Sequence, residues 1–199
     1  VTLFAKGRSL FLFNAILNAK HEFLRMFAGD YIAAHQEACK FVDEVYGCVI
    51  PKLADLVIAS CGGFPKDINV YQMQKTIDNA MCAVREGGVV ILLADCEEGS
   101  GSKVLEETFR RLKTPEAIKA ELEANFRIGA NKAFASTRPI SHARYILVTR
   151  LDRQLAKDML FTGAVDTVEE ALEIAKQFVG EKPSIILMPE GSLTVPRVE

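Results

Sequence analysis

Between residues 53 and 191 the chain alternates two kinds of apolar pattern. LADLVIAS (53–60), VVILLADC (89–96), RYILVTRL (144–151) and PSIILMPEG (183–191) are short and nearly all apolar, as strands covered on both faces of a sheet read. The segments between them repeat with helical spacing. In DINVYQMQKTIDNAMCAV (67–84) Val70, Met73, Ile77, Met81 and Val84 form one stripe, and REGG (85–88) is expected to stop that helix. SKVLEETFRRL and PEAIKAELEANF read as two helices broken at Thr114-Pro115, with Thr114 the cap and Pro115 in the first turn. NKAFASTRPISHA predicts a short helix ending near Pro139, and DRQLAKDML another helix. In TVEEALEIAKQFVG, Thr167 and Glu170 stand at capping-box spacing. PSIILMPEG is expected to be the last strand.

The amino-terminal part differs. RSLFLFNAILNAKHEFLRMFAGD predicts two strands joined by the polar turn NAKHE. Asp30 then caps a helix to about Tyr46, with Ala34, Ala38, Phe41, Val42 and Val45 on one face and Gly47 at its end. The whole pattern predicts an α/β fold: a largely parallel, Rossmann-like sheet flanked by helices in three layers, preceded by a β-hairpin and helix. Residues 1–199 are expected to form one domain, with 1–50 as the leading hairpin and helix and 51–199 as the main sheet.

Composition narrows the function classes. At 49% hydrophobic and 25% charged, the chain can bury a sizeable core. A net charge of -2 without basic clusters argues against nucleic acid as a partner. No apolar run approaches the roughly 20 residues of a membrane span, and no secretory leader is expected. Five cysteines, odd in number and without a C-x-x-C pair, are expected to be buried reduced thiols of a cytoplasmic protein. The chain lacks an initiator Met and is expected to be part of something longer.

In a parallel α/β sheet, ligands bind beyond the carboxyl ends of the strands. Four connections qualify: CGGFPKD (61–67), CEEGSGSK (96–103), the loop after RYILVTRL, and MPEGSLTVP (188–196). The first is the richest. Gly62 and Gly63 permit a tight turn, and the next helix would direct free N–H groups at an anion that Lys66 and Lys75 could also reach. Tyr71, Gln72 and Lys75 stand at i, i+1 and i+4 and can converge, although a solvated helix face after an ordinary turn has the same pattern. CEEGSGSK does not match a phosphate-binding loop, and its Glu97 and Glu98 would repel phosphate; it is expected to be a flexible loop. His21, His35 and His142 have no metal-ligand spacing, so no metal site is expected.

The run ADLVIAS-CGGFPKDINVYQMQK, continued by IDNA and VREGGVVILLADCEEGSG, resembles the carboxyl-terminal domain of the nickel-dependent lactate racemase family. FLFNAILNAKHEFLRMFAGDYIAAHQEAC resembles that family's hairpin and helix, and IGANKAF and LMPEGSLTVP its later landmarks. The resemblance covers essentially the whole chain. It implies a racemase or epimerase of 2-hydroxy acids that uses a nickel pincer nucleotide derived from nicotinic acid, by hydride transfer from substrate C2. It implies that Tyr71, Gln72 and Lys75, with Gly62, Gly63 and Lys66 beside them, contact substrate or cofactor. The metal ligand, the lysine that holds the cofactor and the acid-base histidines are implied to lie in a preceding half of the polypeptide, the partner of this domain. This chain alone would then carry no catalytic residue and be inactive. Asn131 and Glu190 replace histidines found in many members, which puts lactate itself in question as the substrate. The residues by themselves also fit a non-catalytic domain that binds a small anion or docks a partner.

Overall fold

The computed structural model describes residues 7–18, 20–127 and 129–199, so Ala19 of the NAKHE turn and Ile128 of IGANKAF lie outside the described residues. The chain divides into two compact units, the first ending at Gly47 and the second comprising Cys48–Glu199.

In the first unit, strands β1 (Phe11–Leu17) and β2 (Phe23–Asp30) pair antiparallel, with a register irregularity at Ile16/Leu17. Asn18 shapes the turn, its Oδ1 accepting from the N–H groups of Lys20 and Glu22. The Asp30 carboxylate accepts from the N–H groups of Ile32 and Ala33, starting helix α1 (Tyr31–Tyr46) as the sequence predicts. Ala34 and Ala38 are buried on its inner face, and the Phe41 ring lies 5.9 Å from that of Phe27.

The second unit opens with β3 (Gly47–Ile50) and β4 (Ala54–Ser60), then α2 (Val70–Met81) and β5 (Val84–Leu93). Helices α3 (Lys103–Leu112), α4 (Pro115–Ala124) and α5 (Ala130–His142) follow. The chain ends through β6 (Arg144–Val148), α6 (Arg153–Asp158), β7 (Gly163–Val165), α7 (Val168–Val179), β8 (Ile185–Met188) and β9 (Val195–Val198). Five strands form one parallel sheet in the order β7-β6-β5-β4-β8.

Alternate residues of each strand feed two cores. Val57, Val90, Leu92, Tyr145 and Leu147 pack with Met73, Ile77, Phe109, Ile118 and Leu155 on one face. Leu56, Val89, Ile91 and Ile146 pack with Ala171 and Ala175 of α7 on the other. This is the three-layer arrangement expected from the continuous apolar strands. The caps of α4 and α7 are those read from the sequence, Thr114 and the Thr167–Glu170 capping box, and Ser102 caps α3.

Several local expectations fail. REGG does not end α2, which stops at Met81. Residues 84–88 already belong to β5, where the pairing jumps from Ala54↔Val84 to Leu56↔Val89 and the intervening residues bulge out of register. Val84 is therefore a strand residue. Helix α5 runs through Pro139 to His142, because the proline removes one donor while the Ala143 N–H closes the last turn on the Pro139 carbonyl at 3.0 Å. PSIILMPEG is not the last strand: β9 follows and pairs with β3, and β7 adds a short edge. These three strands have three or four residues each, too short for an apolar period to register.

At the amino end of β4, the Asp55 carboxylate accepts from the Ser184 hydroxyl (2.7 Å), Arg85 Nε (2.6 Å) and the Ser184 N–H (2.8 Å). These donors hold its pKa well below the ordinary carboxylate value of 3.8. Below 3.8 the unfolded chain binds the proton first, so the stabilisation is complete above that pH and lost as the pH falls towards the depressed value. The gap in Tm between the wild type and Asp55→Asn is therefore expected to narrow between pH 5 and pH 2. A gap that does not change over this range would remove Asp55 from the acid response.

The cysteines correct another expectation. All five are free, but only Cys61 and Cys96 are buried; Cys39, Cys48 and Cys82 are exposed. Burial pushes the Cys61 thiol up to about 11 and the Cys96 thiol up to about 12. In this chain at pH 8, a thiol reagent is expected to modify three cysteines rapidly and the other two only after denaturation, as peptide mass mapping would report. Rapid modification of Cys61 or Cys96 in the folded chain would contradict this burial.

Candidate functional site

The strand order decides which loops can meet. The chain moves from β4 through β5 and β6 to β7, then returns by α7 on the opposite face to place β8 on the far side of β4. The direction of winding reverses between β4 and β8, and at such a reversal the loops beyond the carboxyl ends part to leave a crevice. The turn after β4 and the turn after β8 border it. They line a cleft of about 340 Å³ with Pro65, Lys66, Ile68, Gln72, Lys75, Ser192 and Leu193.

The turn after β4 is built by local bonds. Gly62 N–H donates to the Ser60 hydroxyl, the Lys66 N–H to the Gly63 carbonyl, and the Phe64–Pro65 peptide is cis. Gly62 has φ +86°, and a Cβ there would lie 2.6 Å from Glu190 Oε2 and 3.1 Å from Lys66 Nζ. The absent side chain is thus what admits the Lys66–Glu190 ion pair, whose Nζ and Oε2 are 3.1 Å apart. Gly63 also has positive φ (+73°) and faces open space.

The turn after β8 is pinned onto the first. Gly191 N–H donates to the Ser60 carbonyl (2.9 Å), Asn79 Nδ2 to the Gly191 carbonyl (2.8 Å), and Ser192 Oγ to the Cys61 carbonyl (3.0 Å).

Helix α2 supplies the remaining wall, with the Asn69 side chain accepting from the Gln72 N–H as the cap. The free N–H groups expected at its start are not free. Val70 N–H donates to the Gly99 carbonyl and Tyr71 N–H to the Ser100 carbonyl. The CEEGSGSK segment is accordingly not the flexible loop expected. Its Cys96 and Glu98 N–H groups also bond the carbonyls of Asp67 and Ile68, and Ser100 is buried. Carbonyl oxygens sit where the sequence pattern offers a seat for an anion. The anion chemistry of this corner rests on side chains instead.

Those side chains are only partly the set expected from spacing. Lys75 Nζ donates to Gln72 Oε1 at 3.2 Å, and both line the cleft with Lys66. Tyr71 does not join them: Lys132 Nζ of α5 lies 4.6 Å from the centre of its ring, and the ring is outside the cleft lining. Among the described residues Lys66 is paired with Glu190, whereas Lys75 is in no ion pair. A cation held by an amide and uncompensated by a carboxylate is the strongest ligand-directed feature of the cleft. Ser192, Pro65 and Ile68 had no side-chain signal in the sequence beyond their place after a strand.

The other strand ends do not compete. Beyond β5 and β6, Arg150 clamps Asp95 through two bonds and lies 3.7 Å from Glu97, and this guanidinium holds the Asp95 carboxyl below its ordinary range. The neighbouring hollow is lined by Phe64, Asp67, Ile68, Asp95 and Glu97, whose carboxylates disfavour an anion. Asn131 Oδ1 accepts from the Gly129 N–H at the start of α5. His142 Nε2 lies 3.0 Å from the Val84 carbonyl and His35 Nε2 3.6 Å from Cys39 Sγ, so neither lines the cleft. Among the described residues no three His, Cys, Asp or Glu side chains are grouped to hold a metal ion, and no helix is long and apolar enough to cross a membrane.

Fold and cleft together define an α/β domain that presents cationic and amide groups at its topological switch point. A family profile described as the lactate racemase C-terminal domain matches residues 49–195, and the chain belongs to that family. It is 32% identical over 197 residues to a lactate racemase of Thermoanaerobacterium thermosaccharolyticum, a match covering 96% of this chain and 46% of the relative. It is 28% identical to a lactate racemase of Lactiplantibacillus plantarum, covering 91% of this chain and 43% of that one. The structure of the T. thermosaccharolyticum lactate racemase apoprotein superimposes with a TM-score of 0.85 at 29% identity, over 98% of this chain and 48% of the other. A Thermotoga maritima protein shares the fold alone, with a TM-score of 0.65 at 13% identity. The chain spans about half the length of the racemases it matches.

Proposed function

We propose that this chain is the carboxyl-terminal part of a racemase or epimerase of 2-hydroxy acids and forms one wall of its active-site cleft. The observation that carries the reading is Lys75, an ammonium group oriented by Gln72 at the mouth of the switch-point cleft and in no ion pair among the described residues. A 2-hydroxy acid offers such a site its carboxylate. With Gln72 Oε1 engaged by Lys75, the amide nitrogen of Gln72 remains to donate to a ligand oxygen. Pro65, Ile68 and Leu193 supply apolar walls that exclude water, which strengthens a charge-assisted bond.

The same donors bear on the cofactor. Two ammonium groups and an amide fit the carboxylate and phosphate oxygens of a pyridinium nucleotide and do not fit its nickel ion. Lys66, Lys75 and Gln72 would thus hold anionic parts of a nickel pincer nucleotide. When bound, that group supplies the acceptor and donor of hydride at substrate C2. The metal ligand, the covalent lysine and the acid-base groups are assigned to the preceding half of the polypeptide, the partner of this chain, and this chain alone is then inactive. Tyr71 is assigned to the rim, held by Lys132. The five free thiols support a cytoplasmic setting.

The test is chiral analysis of a panel of D- and L-2-hydroxy acids with the full-length protein, alongside its nickel content. Racemisation or epimerisation of a panel member by nickel-loaded protein is the expected result. Binding of a 2-hydroxy acid with no exchange at C2 would instead make this a non-catalytic anion-binding domain.

A further inference from the structure

Among the described residues, nothing in its own unit covers one apolar face of the hairpin. The register places Phe11, Phe13 and Ala15 opposite Asp30, Ala28 and Met26 on one face. The other face holds Leu12, Asn14 and Ile16 opposite Gly29, Phe27 and Arg25, and Phe27 packs there against Phe41 of α1. The first face is outward: Phe11 is 77% exposed, Phe13 66% and Met26 53%, with Phe23 (66%) beside them at the turn. Large apolar side chains grouped in this way mark an interaction surface, unlike single exposed ones.

We propose that this outward face docks against the half of the full-length polypeptide that precedes this chain, so that the hairpin and α1 complete that half. The proposal rests on the racemase reading for the existence of that half and adds the surface that meets it. Two observations select this occupant. The C-terminal-domain match begins at residue 49, just past the end of the first unit at Gly47, so the hairpin unit falls outside what that domain comprises. Yet the match to the T. thermosaccharolyticum racemase covers 96% of this chain, too much of it to leave out the hairpin, while more than half of that racemase lies elsewhere.

A second copy of this chain is the weaker occupant. It would have to find this face by diffusion, whereas a covalently tethered neighbour is held beside it at a high effective concentration.

The experiment uses the full-length protein and does not depend on activity, so it separates this proposal from the racemase reading. Phe13→Cys and, as an exposed control, Phe126→Cys (Phe126 is 66% exposed) are labelled with a maleimide and read by peptide mass mapping. Labelling at position 13 is expected to be at least tenfold slower than at position 126 at every protein concentration. Phe13→Asp is expected to lower Tm by several degrees with Phe126→Asp unchanged. Equal labelling rates, or a Phe13→Asp Tm equal to wild type, would overturn the proposal. Protection at position 13 that disappears on dilution would overturn it in favour of a second copy.

Discussion

On the proposed racemase reading, replacing Lys75 with alanine in the full-length protein is expected to lower kcat/KM for a 2-hydroxy acid by roughly 10- to 150-fold. Hydrogen bonds to charged groups contribute about 1.5–3 kcal/mol, and each 1.36 kcal/mol is a factor of ten. The loss should be specific to function. Lys75 lies on the exposed side of α2, opposite the stripe of Val70, Met73 and Ile77, so its removal leaves no cavity. Stability is expected to stay within about 0.5 kcal/mol of wild type, as for other surface substitutions. Lys75→Met keeps the aliphatic stem and removes the charge, so it should match alanine in kinetics. Steady-state kinetics over the substrate panel, paired with Tm, checks both parts. Unchanged kinetics with every substrate would take Lys75 out of the site.

The second large effect is expected from Gly191→Val, which acts on the frame of the cleft. A Cβ at this position would meet the Ser60 carbonyl oxygen at 3.0 Å and Thr76 Cγ2 at 2.7 Å. Neither neighbour can retreat easily: one is backbone of β4 and the other belongs to a fully buried side chain. Valine adds two methyl groups to that contact. Forcing them in costs about 1–3 kcal/mol, a fall in Tm of several degrees for a chain of this size. The same strain pushes the turn after β8 off the Ser60 and Cys61 carbonyls, displacing Ser192 and Leu193 from the cleft wall. Catalysis by the full-length protein should fall together with thermal stability, in contrast to Lys75→Ala. A Gly191→Val protein with wild-type Tm would mean that the two turns are not locked together as described.

The two substitutions separate two kinds of information about the cleft. Lys75 was visible in the sequence, because helical spacing alone puts it opposite the apolar stripe of α2. Its partner Gln72 was visible for the same reason, at i and i+3. Tyr71 was assigned to the same group on equal grounds, and the structure turns it to Lys132, a residue of α5 that no local spacing relates to it. Free N–H groups at the start of α2 were expected from a rule about isolated helix ends. That rule could not foresee that residues 99 and 100 would bring their carbonyls there. Glu190 was noted only as a departure from the family, and its ion pair with Lys66 spans 124 positions of sequence.

What the amino-acid sequence determined alone was everything set by short-range periodicity and chemistry. It carried the continuous apolar strands, the amphipathic helices between them, the caps at Asp30, Thr114 and Thr167, and the α/β class they imply. The tertiary structure alone paired the turn after β4 with the turn after β8 to make the cleft. That pairing depends on β8 entering the sheet beside β4 while β5, β6 and β7 fill the other side. Strand order follows from how whole helices pack on the two faces of the sheet, and that packing energy comes from contacts between residues far apart in the chain. No window of sequence around Lys66 or Glu190 contains it, yet it brings the two side chains to 3.1 Å and makes a cleft lined by Lys66 and Lys75.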